Sequence, residues 1–191
     1  MNKHTRIIVH VNEQAQKDTF YTKSEEIGKL AARAFLDDER KDDHQKPGQN
    51  PAKDQKAPDK KELDKHRSQM TSLENIAETT RKVTDVLDFI KKQIGRPNQI
   101  AWRKEYEGQR FGETLKQYIE NDIKAIANDV YIDVREVNEL ERQHIYLLLV
   151  RQCIRQIVAQ YEYSISHLIE EKRQQHDQQA GTGTDTTPQR H

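Results

Sequence analysis

Residues 145–150 read Ile-Tyr-Leu-Leu-Leu-Val, one unbroken apolar block, and Ile154, Ile157, Val158, Tyr161, Ile165 and Leu168 continue it at helical spacing. No Gly or Pro interrupts residues 133–173. A helix that is apolar nearly all round at its middle has to be covered on several sides. At 1.5 Å per residue such a rod is about 60 Å long, so it sets the scale of the fold and predicts what the other segments must do. Asp133-Val-Arg-Glu136 has the form of a capping box and is expected to open it.

The other segments are shorter. Residues 6–11, Arg-Ile-Ile-Val-His-Val, are rich in β-branched side chains and predict a short N-terminal strand. Thr22-Lys-Ser-Glu25 is a second capping-box pattern, followed by Ile27, Leu30, Ala31, Ala34 and Phe35 on one helical face. Thr71-Ser-Leu-Glu74 is a third. Around it a helix is expected from about residue 60 or 71 to 94, with Leu73, Ile76, Thr80, Val83, Leu87, Ile90 and Ile94 in three- and four-residue steps that resemble a coiled-coil seam. Gly95-Arg96-Pro97 stops it, since Pro cannot continue a helix. A further helix is expected over 112–128, with Leu115, Ile119, Ile123 and Ile126 on one face.

Charged residues make up 34% of the 191 and hydrophobic ones 33%, too polar a balance for every segment to be packed. The polar stretches are easy to place. Residues 41–61 hold Pro47, Pro51 and Pro58 among Lys, Asp, Gln and Asn, and read as a disordered linker. Residues 174–191 read as a disordered tail. The expected fold is all-α: a bundle of three to four helices with one long C-terminal helix, a short N-terminal strand, and a disordered linker and tail. Its divisions are a small module over 1–40 (strand plus amphipathic helix), the linker over 41–61, the helical bundle over 62–173 and the tail over 174–191.

Function classes are narrowed mainly by what the chain lacks. The single cysteine, Cys153, excludes an internal disulfide framework and fits a reducing compartment. No secretory signal follows the first residues, and the longest apolar run is far short of the ~20 residues that span a bilayer. The expectation is a cytoplasmic protein with no membrane partner. Glu141-x-x-His144 has a spacing used in di-iron bundles, but a second such pair and two further Glu are missing, so no metal is expected. The eight histidines are scattered, and no P-loop, Gly-x-Gly-x-x-Gly or Gly-x-Ser-x-Gly occurs. No cofactor and no enzymatic activity are expected.

Local charge is more informative than the total, which is zero. Over 91–116, Lys91, Lys92, Arg96, Arg103, Lys104, Arg110 and Lys116 stand against three carboxylates, with Trp102, Tyr106 and Phe111 interleaved. Cations contact phosphates and aromatic faces stack on unpaired bases, so this mixture suits RNA or single-stranded DNA. Over 118–141 the sign reverses: Glu120, Asp122, Asp129, Asp133, Glu136, Glu139 and Glu141 oppose Lys124 and Arg135. Two such segments pair within the chain or between copies. The leading expectation is a non-enzymatic interaction or structural subunit of a larger assembly. It docks on protein partners or self-associates through Ile145, Leu148, Leu149, Ile157, Tyr161 and Ile165 of the long helix. The alternative is a nucleic-acid-binding accessory using Lys91, Lys92, Arg96, Arg103, Lys104 and Arg110 with Trp102 and Tyr106.

Overall fold

The computed structural model describes residues 2–42, 60–134 and 137–181. Among them the fold is helical apart from one small hairpin. The elements in order are α1 (Lys3–Ala15), α2 (Asp18–Asp42), α3 (Lys60–Thr79), α4 (Val83–Gly95), a single 3-10 turn at Ile100–Trp102, β1 (Glu105–Tyr106), β2 (Gln109–Arg110), α5 (Phe111–Gln117), a π turn at Tyr118–Ile123, α6 (Lys124–Val134) and α7 (Glu139–Gly181).

The long rod is α7, 43 residues. It opens later than the Asp133 box implies. Asp133 lies in the last turn of α6, and the reciprocal cap is Asn138 with Glu141. The Asn138 backbone N–H donates to the Glu141 carboxylate at 2.8 Å, and the Glu141 N–H donates to the Asn138 side chain at 2.9 Å. The same helix also runs on through 174–181, so the first part of the expected disordered tail is helix. The rest of the expected tail, and 43–59 of the expected linker, lie outside the described residues.

α1, α2, α3 and α6 pack along α7, while α5, the 3-10 turn and the hairpin pack on α2 and α4. Lys3 pairs with Glu141 at 2.7 Å near its start, the Gln156 side chain donates to the Ala15 carbonyl at 3.1 Å, and Phe35 meets Tyr161 edge-on at 5.7 Å. So α1 and then α2 follow α7 in the same direction. α3 runs the other way: Arg155 holds Glu78 through a two-pronged bond of 2.7 and 2.9 Å, and Arg67 meets Glu162 at 3.2 Å. α6 is also antiparallel, with Arg142 stacked 3.9 Å from the Tyr131 ring and the Tyr146 hydroxyl donating to the Ile119 carbonyl at 2.8 Å. One contiguous core results, from Ile7 on α1 to Ile165 on α7.

Several local expectations are overturned. Residues 6–11 are helix, not strand. Asn2 caps α1 by accepting from the Thr5 N–H at 2.8 Å, and Ile7, Val11 and Ala15, each four positions apart, form a stripe buried in the core. Burial of that stripe outweighs the β preference of Ile and Val, which is worth less than ~1 kcal/mol per residue. Thr22 and Thr71 are interior residues of α2 and α3, so neither begins a helix. The expected coiled-coil seam is broken at residues 80–82. There the Arg151 guanidinium donates to the carbonyls of Ala77 and Thr80, both at 2.9 Å, satisfying the orphan acceptors at the end of α3. The Thr80 hydroxyl meanwhile bonds the Asp85 carboxylate in the first turn of α4.

The π turn has a sequence cause. Leu115, Ile119, Ile123 and Ala127 are all buried. Repeated four-residue steps drift around an α-helix by about 40° each, and a wider turn takes up that drift, keeping all four on the core.

Candidate functional site

The predicted basic residues lie around the end of α4 and the turn that follows. Lys91, Lys92, Arg96 and Arg103 are exposed and Lys104 is half-buried. The Arg103 guanidinium donates to the Pro97 carbonyl at 2.7 Å, which folds the loop back on the end of α4. Lys91 reaches Asp88 at 3.7 Å, while Lys92 and Arg96 meet no carboxylate among the described residues. Ile100, 39% exposed, sits in the same turn. We call this surface the shoulder. Arg110 lies apart on β2, paired with Glu105 across the hairpin at 3.6 Å.

The aromatic half of that expectation does not survive. Trp102 is 0% exposed. Its indole N–H donates to the buried Gln69 side chain at 2.7 Å, and its ring packs against Phe35, Phe89 and Phe111. No base can stack on it. The 3-10 turn inserts Trp102 between α2, α3 and α5 because a ring of that size, bonded at its one polar atom, is worth more inside than out. Tyr106 is half-buried, with the Arg33 guanidinium 5.4 Å from its ring centre.

The predicted docking residues of the long helix are likewise covered. Ile145, Leu149, Ile157, Tyr161 and Ile165 are each 0% exposed, and Leu148 is half-buried. Each neighbour is shorter than α7, but α1 and α2 lie along it in succession and cover it together. Apart from Tyr163, whose ring meets that of His167, the large apolar side chain of α7 that stays bare lies at its start. Leu140 is 77% exposed and Ile132 67% exposed, on either side of the α6–α7 elbow. Of the described carboxylates there, Asp129 and Glu139 are exposed, Glu139 pairs with Arg142 at 3.8 Å and Glu141 with Lys3 at 2.7 Å. Sequence reasoning missed this surface because Leu140 sits in phase with the core stripe of the rod. The cue was the Asn138–Glu141 capping pattern, which puts Leu140 in the first, solvent-facing turn.

Two other places gather titratable side chains. A polar cleft of about 550 Å³ opens between Lys23 on α2, the hairpin tip, and Glu113, Thr114 and Asp122 around the π turn. Tyr118 lines it, but it is buried, its hydroxyl donates to the Phe20 carbonyl at 3.4 Å, and desolvation holds it well above its usual range. The core thiol of Cys153 is pushed up to about 12 by burial. Neither group is poised to exchange a proton near neutrality. At the other end of the molecule the His4 and His144 rings lie 6.4 Å apart and nearly parallel. His144 is held below its usual pKa by burial, then by His4 and Arg151. Glu141 is held low chiefly by its bond from Lys3. No group of three or more potential ligands that could hold a metal occurs among the described residues, and none of their helices is long and apolar enough to cross a membrane. Comparison with protein-family models, with curated proteins and with solved structures finds no match.

Proposed function

We propose that this protein is a non-enzymatic helical subunit that works by docking, in a cytoplasmic setting suited to its single buried thiol. The elbow carries this reading. Two large aliphatic side chains stand in water at a corner stiffened by the Asn138–Glu141 cap and the Arg142–Tyr131 stack. Burying both recovers about 1.5–3 kcal/mol each, enough to anchor an interface whose rim is polar. The test is size-exclusion chromatography of the native protein and of an Ile132→Ser/Leu140→Ser variant, each in host extract. The native chain elutes well above its own mass and the variant moves to the monomer position. Monomer elution of both ends the proposal.

A second reading rests on the exposed shoulder cations. Lys92, Arg96 and Arg103 suit phosphate oxygens, so nucleic-acid binding would be through the backbone, without base stacking and with steep salt dependence. An RNA and DNA titration across salt separates the two readings: absence of binding at low salt removes this one.

A further inference from the structure

Where the first turn of α1 lies against the start of α7, His4 and His144 face each other with ring centres 6.4 Å apart and planes 21° from parallel. Both residues are exposed, and neither ring has a hydrogen-bond or ion-pair partner among the described residues. We infer that this pair is a metal site: a clamp that takes one late first-row divalent cation, such as zinc or nickel, between α1 and α7.

The donor type sets the class of ion. A neutral imidazole nitrogen suits zinc, nickel and copper, whereas magnesium and calcium require oxygen. The helices that carry the two rings are fixed before any ion arrives. Lys3, next to His4, bonds Glu141 on the preceding turn of α7 at 2.7 Å. Beside the rings Ile7 and Ile145 are buried in the core at 2% and 0% exposed. Binding therefore orders two side chains and no backbone, which keeps its entropic cost small. Reach is adequate as well. A ligating ring nitrogen sits about 2.0–2.1 Å from zinc, so two rings on one ion have centres about 5 Å apart at the tetrahedral angle. Rotation about the side-chain bonds of two exposed residues closes the remaining gap of about 1 Å.

Local spacing singles out Glu141-x-x-His144 as the metal-like pattern. The Glu141 carboxylate, however, is held by Lys3 and by the Asn138 N–H. The second imidazole comes instead from the opposite end of the chain, where no local pattern reveals it. The other histidines with described side chains lack such a counterpart: His10 faces Glu13 at 3.1 Å, and His167 packs on Tyr163 at 4.4 Å. Water completes the shell at His4 and His144. With two protein ligands, and with the charges of Lys3 and Arg151 near by, the clamp is weaker than a closed structural site. Its consequence is mechanical: an ion held there bridges α1 to α7 and stabilises the native chain by mass action.

The experiment is isothermal titration of the full chain with Zn2+ and with Ni2+, near neutral pH. The native protein takes up one ion of either metal at its tightest site, and neither Mg2+ nor Ca2+. His4→Asn and His144→Asn each weaken that uptake by more than about tenfold, while His10→Asn and His167→Asn leave it unchanged; circular dichroism checks the fold of each. No uptake by the native protein overturns the inference. So does uptake that survives either His4→Asn or His144→Asn, or uptake that His10→Asn or His167→Asn abolishes. If a variant fails to fold, proton NMR of the native protein still decides. Substoichiometric paramagnetic Ni2+ broadens the ring protons of His4 and His144 before those of the other six histidines, and broadening that begins at any other histidine overturns the site. Docking through Ile132 and Leu140 stands or falls separately.

Discussion

Gly28 is where α2 comes closest to α7. A Cβ added there would lie 2.7 Å from the Gln160 Cβ and 2.8 Å from the Ile157 carbonyl oxygen. The Gln160 Cβ and the Ile157 carbonyl are both fixed by the backbone of the rod, so neither can yield without shifting it. Gly28→Ala gains about 1 kcal/mol of helix propensity and loses about 1–3 kcal/mol by overpacking, so the packing cost is expected to win. Urea denaturation should show a lower midpoint for it. Gly95→Ala, whose Cβ meets nothing within 4 Å, should leave the midpoint unchanged or raise it. The histidine pair gives a second test at this scale. His144 is held below its usual pKa of about 6.5 by burial, so the unfolded chain takes up its proton first as pH falls. Stability is therefore full above about pH 6.5 and declines as pH falls through the lowered native value of His144. Glu141, also held low, adds a second decline below about pH 4.5. Replacing His144 with Gln should remove the upper step and keep the lower one, as read by melting temperature against pH. These residue roles were only partly legible. The exposed cations of the shoulder follow from their chemistry, since Lys and Arg rarely bury. Trp102 did not, because aromatic spacing is the same for a core cluster as for a stacking platform.

At the scale of elements, α7 shows where local signals succeed and where they compete. Its apolar run was readable because no other structure accommodates so long an unbroken helical pattern. Its start was not, because Asp133-Val-Arg-Glu136 and Asn138-Glu-Leu-Glu141 both carry capping chemistry within one turn of each other. The chain resolves the choice by continuing α6 through Val134, which buries it at 2% exposed. The Thr22 and Thr71 boxes failed for a related reason: a cap gains about 1 kcal/mol, less than a further turn that buries Phe20 or Met70. The strand expected at 6–11 had no partner strand to pair with, whereas as a helix it had α6 and α7. Hence Asn138→Ala should cost about 0.5–2 kcal/mol in thermal unfolding and free the elbow. Asp133→Ala should cost nothing through capping of α7.

The whole molecule is held by one aromatic crossing. Phe35 from α2 touches Trp102, Phe111 and Tyr161, with ring centres 6.2, 5.9 and 5.7 Å away, and so ties four segments far apart in sequence. The hairpin is fastened to the same helix from outside: Arg33 reaches Glu107 at 3.3 Å, at a tight turn where Glu107 and Gly108 both take positive φ. A small N-terminal module able to melt separately would lose its fluorescence, circular dichroism and α1 packing at different denaturant concentrations. A core shared through Phe35 predicts one transition instead. Trp102 emission should be blue-shifted in the native state, and its change on unfolding should coincide with the loss of helix signal. Ile7→Ala, at the far end of the core, should shift both curves together by the ~2–5 kcal/mol typical of emptying such a site. If the Ile7 variant moved the helix signal and left Trp102 unmoved, α1 would be an independent unit and the docking surfaces would not share one rigid body. With both probes moving together, α1 and the Trp102 cluster belong to one cooperative core, and the shoulder and the elbow stand at a fixed separation along α7.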